Sequence, residues 1–328
     1  MARVVIVGAG AIGQFYGAQL ILAGHEVCFV ARRDLAALRS RGLFLHQEPS
    51  DHVASTCTHR QLVLPPTAFR ATADPAEAAA GGADWCLLTT KASALPEAQR
   101  LCGPAVERGA RLAALLNGLG VEDALAQWCP PQRVFGVLCF ICVNRDEDGT
   151  IRHIAHGRVG VGHLLDQPAE SAALAGLWRS AGISVVEPPC LLEARWRKLA
   201  WNIPFNGLSV AGGLPGRGTQ AILGDAALRA RCERLMRETI RIGNADLAAH
   251  GRAERIDEDA WTAEQFRLTT EMGDYLTSTL LDLRAGLPLE TGPIFHEPLR
   301  RAVTLGVAAP ELAWLVGKMS NAECWNET

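Results

Sequence analysis

The chain has 328 residues, 48% of them apolar and 20% charged, with a formal net charge of -3. That is length enough for two cores, and a charge too small to draw nucleic acid or a membrane surface. Ten cysteines scattered singly through apolar stretches, among them Cys28, Cys86, Cys102 and Cys139, read as packed reduced thiols and not as a disulfide framework.

In chain order, Val4 to Val7 is a β-type run ended by Gly8, Ala11 to Ala23 carries apolar residues at helical spacing, and Glu26 to Ala31 is a second β-type run. Together they predict a βαβ unit. The first run is too short for a secretory h-region, and no later stretch approaches the roughly 18 uninterrupted apolar residues of a span, so a cytoplasmic protein is expected. Leu35 to Ser40 reads as a short helix capped by Asp34. The polar stretch from Pro49 to Arg60 and the pair Pro65-Pro66 read as surface excursions.

Further β-type runs at Trp85 to Thr89, Leu112 to Leu116 and Val134 to Val143 alternate with Ala-rich helical stretches, as in a parallel sheet covered on both faces. Segments 151 to 155 and 158 to 164, joined by His156 and Gly157, read as a hairpin closing the sheet. Gly182 to Glu187 is a last short strand before Pro188-Pro189. Beyond residue 190 the pattern turns helical over Leu191 to Val210, Ala221 to Gly251, Ala260 to Gly286 and Gly292 to Thr304. The expectation is an α/β protein with an N-terminal Rossmann-type doubly wound sheet over 1–189 and a C-terminal all-helical domain over 190–328. Long helices such as Ala260 to Gly286 would suit a homodimer face.

Gly8-Ala9-Gly10-Ala11-Ile12-Gly13 follows a predicted strand and opens a predicted helix, which is the context that gives this pattern meaning. Gly8 allows the tight turn, Gly10 lets a pyrophosphate approach the backbone, and Gly13 lets helix and strand pack closely. A dinucleotide is the implied ligand, with its anion at the helix N-terminus beside Ala11 and Ile12. Which dinucleotide depends on the end of the second strand, where an acidic residue would accept from the ribose of NAD. That place reads Val30-Ala31-Arg32-Arg33, and paired guanidinium donors suit the 2′-phosphate of NADPH.

In the second half, Lys198, Asn202 and Asn206 recur at steps of four on an otherwise apolar helix, so they share one stripe. Pro204 lies inside that helix and predicts a kink near the stripe. From the helix alone two readings stay open: a functional stripe, or asparagines that satisfy a broken turn while Lys198 reaches solvent. Thr89-Thr90-Lys91 and Asn117-Gly118 both follow β-type runs, at the strand ends where open α/β sheets bind ligands.

Taken together, these pieces resemble the ketopantoate reductase (2-dehydropantoate 2-reductase) family: the GAGAIG turn, Arg32, Thr90-Lys91-Ala92, Asn117-Gly118, Lys198 with Asn202 and Asn206, and Ser278-Thr279-Leu280-Leu281-Asp282 followed by Gly286 and Leu289-Glu290. The resemblance implies an NADPH-dependent reductase of a small 2-oxo acid, 2-dehydropantoate to pantoate in pantothenate biosynthesis, with its site between the two domains. It implies Lys198 as general acid and Glu290 as its catalytic companion, hydrogen-bonding the substrate or the nicotinamide ribose. Asn117, Asn202 and Asn206 would order substrate and cofactor, Ser278 would hold a carboxylate, and Lys91 would lie beside the cofactor. Two departures leave the acceptor open. The family's further amide after the stripe is replaced by Gly212-Gly213-Leu214-Pro215-Gly216, and the helix start after Glu290 reads Thr291-Gly292-Pro293-Ile294-Phe295-His296. The alternatives are an NADP-dependent dehydrogenase of another 2-oxo or 2-hydroxy acid, and a non-catalytic dinucleotide sensor.

Three signals are set aside. Cys139 and Cys142 in a β-type run face opposite sides of a sheet, so no metal is expected there. His153 and His156, at the expected hairpin turn, read as surface groups. The mixed charges from Arg229 to Arg241 read as a solvated, self-paired helix face.

Overall fold

The computed structural model describes residues 1–53 and 60–323, and side chains as far as residue 319. The chain folds as two compact units, residues 1–116 with 121–191, and residues 117–120 with 192–328. Among the described residues no helix is long and apolar enough to cross a membrane.

The first unit is built on ten strands: β1 (Arg3–Val7), β2 (Glu26–Val30), β3 (Leu43–Gln47), β4 (Arg60–Leu64), β5 (Arg70–Thr72), β6 (Trp85–Leu88), β7 (Arg111–Ala114), β8 (Val134–Arg145), β9 (Ile151–His163) and β10 (Val185–Val186). Its helices are α1 (Ala11–Leu22), α2 (Leu35–Ser40), α3 (Pro75–Ala78), α4 (Ala98–Glu107), α5 (Val121–Leu125) and α6 (Pro168–Ser180). The sheet order is β4-β3-β9-β8-β7-β6-β1-β2-β5, with β10 on β9. The register sets Val7 opposite both Val30 and Leu88, and Leu88 opposite Ala114, so four parallel strands end along one edge. Alternate residues of β1 enter different cores: Val4 and Ile6 pack with Phe15, Phe29 and Trp178, while Val5 and Val7 pack with Cys86, Leu88 and Leu112. That two-sided burial explains why the run reads as continuously apolar.

The expected α/β class with a Rossmann-type sheet is observed, but the sheet is mixed. β3 and β4, which flank the expected excursion from Pro49 to Arg60, form an antiparallel pair that was not expected; residues 54–59 of that excursion lie outside the described residues. The expected hairpin over 151–164 is one strand. It pairs antiparallel with β8 and absorbs His156-Gly157 as a bulge, with a register shift between Phe140 and Ile141. The turn lies earlier, at Asp146–Thr150, where Gly149 has φ 89° and the Asp146 N–H donates to the Thr150 carbonyl. Nor is His153 a surface group. It is fully buried, stacked on Phe15 with ring centroids 4.8 Å apart, and donates from Nε2 to the His156 carbonyl at 3.0 Å. Alternation along β9 turns it inward, while His156 stays exposed.

The second unit contains α7 (Leu191–Val210), α8 (Thr219–Gly224), α9 (Ala226–Ala249), α10 (Glu258–Glu271), α11 (Ser278–Arg284), a π-helical turn (Gly292–His296), α12 (Glu297–Leu305) and α13 (Pro310–Glu323). α7 runs through Pro204 as a single helix. Two of the expected long helices are broken. Asp225 interrupts the first by accepting from Ala227 N–H and Leu228 N–H, the N-cap of a new helix. The second stops after Glu271, Gly273 takes φ 70°, and Thr277 caps α11. The charged face of α9 is partly exposed and self-paired, as expected, but it also pairs with neighbouring helices. Arg231 and Arg234 pair with Glu311 of α13, and Arg237 reaches Glu258 and Asp259 of α10 as well as Glu233. Glu238 is buried, and its carboxylate accepts from the Glu311 and Leu312 N–H groups at the start of α13. Beneath lie Trp196, Leu199, Ile203 and Phe205 of α7, with Ile240, Leu280 and Leu315.

Candidate active site

In the first unit, the turn between β1 and α1 is shaped by glycines for three different reasons. Gly8 has φ 106°, a conformation that strains any other residue. Gly13 has no room: a Cβ there would stand 2.1 Å from the Gly8 carbonyl oxygen and 2.6 Å from Thr89 Oγ1. Thr89 tightens the same corner by donating to the Gly8 carbonyl at 2.6 Å. Gly10 is the opposite case, since a Cβ there would meet nothing within 4 Å. It occupies the N-cap of α1 without a side-chain hydrogen bond, and the first turn, opened by Ala11 and Ile12, holds no acidic residue. An open, uncapped helix start with a glycine at its lip fits a dinucleotide pyrophosphate.

Arg32, Arg33, Thr90 and Lys91 follow the ends of β2 and β6 on the same sheet edge, and both arginines and Lys91 are exposed. Arg32 lies near Glu97, whose carboxyl is held below its ordinary range mainly by Arg100 and further by Arg32. Asp34 departs from expectation. It stands at the N-cap position of α2 but its side chain caps nothing there; its φ and ψ of -92° and -2° are helical, and the carboxylate turns instead into an ion pair with Arg145 at the end of β8.

In the second unit, Lys198 Nζ donates to Asn117 Oδ1 at 2.8 Å. Both side chains are half-buried, whereas Asn202 and Asn206 one and two turns on are buried. Asn117 is seated by its neighbours: Leu119 N–H donates to the Pro293 carbonyl at 2.9 Å, and Gly118, with φ 95°, lies so near Pro293 that a Cβ would come within 2.5 Å of its backbone. The π-helical turn after Glu290 thus holds the loop that holds the lysine. Glu290 itself is half-buried just before that turn. At the other end of the stripe, the Asn206 carbonyl accepts from Ser209 Oγ at 2.7 Å, and Ser209 Oγ meets Thr277 Oγ1 at 2.8 Å. Thr277 caps α11, which places Ser278 exposed at the first residue of that helix.

Ser209 and Thr277 were not singled out from sequence, and Thr89 and Pro293 were named only as members of longer stretches. Thr277 carried a readable signal, a threonine directly before a helical apolar pattern; the others act through contacts that no local pattern encodes. Gly216 and Phe295, in the two stretches that depart from the family, are both closely packed. A Cβ on Gly216 would meet Leu280 at 2.1 Å, and Phe295 is 1% exposed. Among the described residues no group of three or more His, Cys, Asp or Glu side chains is arranged to hold a metal ion.

Chemically, the second unit offers an ammonium fixed by a neutral amide, buried amides beside it and a hydroxyl at a helix start. That set can give a proton to a developing alkoxide and hydrogen-bond a carboxylate. The profile described as Ketopantoate reductase PanE/ApbA matches residues 4–166, and that of its C-terminal region matches residues 191–323. A 2-dehydropantoate 2-reductase of Nostoc sp. is 30% identical over 99% of this chain and 97% of its own length. The crystal structure of 2-dehydropantoate 2-reductase from Geobacter metallireducens GS-15 superimposes with TM-score 0.86 at 33% identity, covering 98% of this chain and 99% of that one. A ternary structure of D-mandelate dehydrogenase with NADH and anilino(oxo)acetate shares the fold at TM-score 0.81 and 18% identity, covering 99% of this chain and all of that one. By its sequence along nearly the whole length and by its fold, the chain belongs to the ketopantoate reductase family of oxidoreductases.

Proposed function

We propose that the protein is a cytoplasmic, NADPH-dependent reductase of a small 2-oxo acid, with 2-dehydropantoate as substrate and pantoate as product. The observation that carries this reading is the hydrogen bond from Lys198 Nζ to Asn117 Oδ1. An ammonium has three donors and no acceptor. Asn117 takes one of them and anchors the ammonium, which can pass a proton to a substrate carbonyl oxygen as charge builds on it. Bound NADPH supplies the hydride to the carbonyl carbon. Asn202 and Asn206 donate to the substrate without adding charge, Ser278 donates to its carboxylate, and Glu290 accepts from a substrate hydroxyl. Gly8, Gly10, Ala11, Ile12 and Gly13 would hold the cofactor, with Arg32 toward its 2′-phosphate and Lys91 and Asn117 alongside.

A second reading, reduction of a different 2-oxo acid, is favoured by one feature. Where the family carries a further amide after the stripe, this chain has Gly212 to Gly216, with Leu214 58% exposed. A panel of 2-oxo acids, with NADPH and NADH oxidation followed by absorbance, separates the two. The highest kcat/KM on 2-dehydropantoate with NADPH supports the first reading. A better acceptor supports the second, and dinucleotide binding with no turnover in either direction overturns both.

A further inference from the structure

The end of β2 presents two arginines and one carboxylate, and the carboxylate is the one that is withdrawn. The Asp34 side chain is 9% exposed and the Arg33 side chain 74%. Asp34 pairs with Arg145, whose own side chain is 24% exposed, and Arg33 Nε lies 3.7 Å from the same oxygen. The other guanidinium lining this corner is engaged elsewhere: Arg41 donates to the Asp148 carbonyl at 3.1 Å. Gln14, also in the corner, donates to the Ala9 carbonyl at 2.7 Å. Arg145 is therefore the residue that fixes where the Asp34 charge points.

A carboxylate at this place in a Rossmann-type sheet accepts from the ribose 2′-hydroxyl of NADH and repels the 2′-phosphate of NADPH. We propose that Arg145 is a positioning residue for cofactor choice: it holds the Asp34 carboxylate in a buried ion pair, so that Arg32 and Arg33 alone face the 2′-position. Asp34 lies only two residues beyond Arg32, so without its partner it would supply the acceptor that suits NADH. The inference rests on the NADPH reading above and explains how a chain with an acid so close to that site would keep it.

The test is a double-mutant cycle read as the NADPH/NADH ratio of kcat/KM. Arg145→Met lowers the ratio on the order of tenfold, the size expected when a charged hydrogen-bonding group turns against a phosphate. The fall comes from KM, with NADPH weaker and NADH tighter, while kcat at saturating cofactor is unchanged. Tighter NADH is the part that simple loss of a positive charge does not produce. Arg145→Lys keeps most of the preference. Asp34→Asn with Arg145→Met, which preserves the net charge of the corner, restores the ratio to within about twofold of the parent, the usual scatter of a neutral change. An unchanged ratio in Arg145→Met, or a double variant as low as Arg145→Met alone, overturns the inference. If Arg145→Met does not fold, Asp34→Asn alone decides. A ratio within about twofold of the parent supports withdrawal, and a rise on the order of tenfold overturns it, since Asp34 would then already face the ribose. A parent enzyme that prefers NADH refutes the NADPH reading before any variant is made; a parent that prefers NADPH with an insensitive Arg145→Met overturns this inference alone.

Discussion

The glycine turn of the first unit and the lysine stripe of the second solve different problems. The turn is made by subtraction, since Gly13 leaves out a side chain that backbone and Thr89 would otherwise strike, and Gly10 leaves open a space where a Cβ would meet nothing within 4 Å. The stripe is made by addition: Lys198 is held by Asn117, Asn117 by the Gly118–Pro293 contact, and Asn206 is linked through Ser209 to Thr277. A site made of absences can be broken by one extra methyl group. A site made of contacts is broken by removing one.

That contrast yields graded expectations. On the proposed mechanism Lys198→Ala is the largest, with kcat falling by about 10²–10⁴ while NADPH still shifts its fluorescence on binding, because a general acid acts only in the transition state. Turnover near the parent value on a verified substrate would take Lys198 out of the chemistry. Next, Gly13→Ala and Gly10→Ala should part company in a thermal melt combined with a cofactor titration. The former destabilises by about 1–3 kcal/mol, the range for an overpacked contact, and the latter leaves the melt unchanged but weakens the dinucleotide. Equal melting losses would show that Gly10 is as enclosed as Gly13 and would erase the distinction. Asn117→Ala should cost roughly tenfold or more in kcat through misdirection of the ammonium, with less effect on cofactor affinity than on rate.

The smallest effect concerns His153, which is buried in the first unit's core. Burial holds its pKa below the ordinary histidine value, so the folded chain takes up this proton less readily than the unfolded one. Its contribution to stability is complete above the unfolded pKa of about 6.5 and is lost as pH falls below it toward the lowered folded value. Urea midpoints measured from about pH 7 down to 5 should decline in the parent and decline less in His153→Gln. Parallel pH profiles would remove His153 as a source of acid sensitivity.

The same contrast explains what could be read from the chain. Gly8, Gly10 and Gly13 act within six residues of sequence, so their spacing and position after an apolar run were sufficient. The lysine stripe was visible as a helical period, although its functional meaning came from resemblance and not from the period. What escaped was carried by distant pairs. Asp34 reads locally as a helix cap, and only the approach of Arg145, more than a hundred residues later, turns it away. The antiparallel pair β3–β4 and the bulge at His156-Gly157 escaped similarly, because a partner strand decides whether such a segment continues or turns. The breaks at Asp225 and Thr277 were legible in principle, since an aspartate and a threonine directly before a helical stretch are cap residues.

Asn117 to Gly120 group with the helical unit although sheet-unit residues flank them on both sides in the chain. The second unit is therefore discontinuous in sequence, and its lysine and the amide that orients it are inherited from opposite sides of residue 190. A recombinant that exchanges C-terminal halves between relatives at that point would carry Lys198 to a foreign Asn-Gly loop and set a foreign loop against Pro293. Lineages can exchange these halves freely only where the loop and its seat have stayed compatible, so the four-residue segment acts as a lock on modular inheritance.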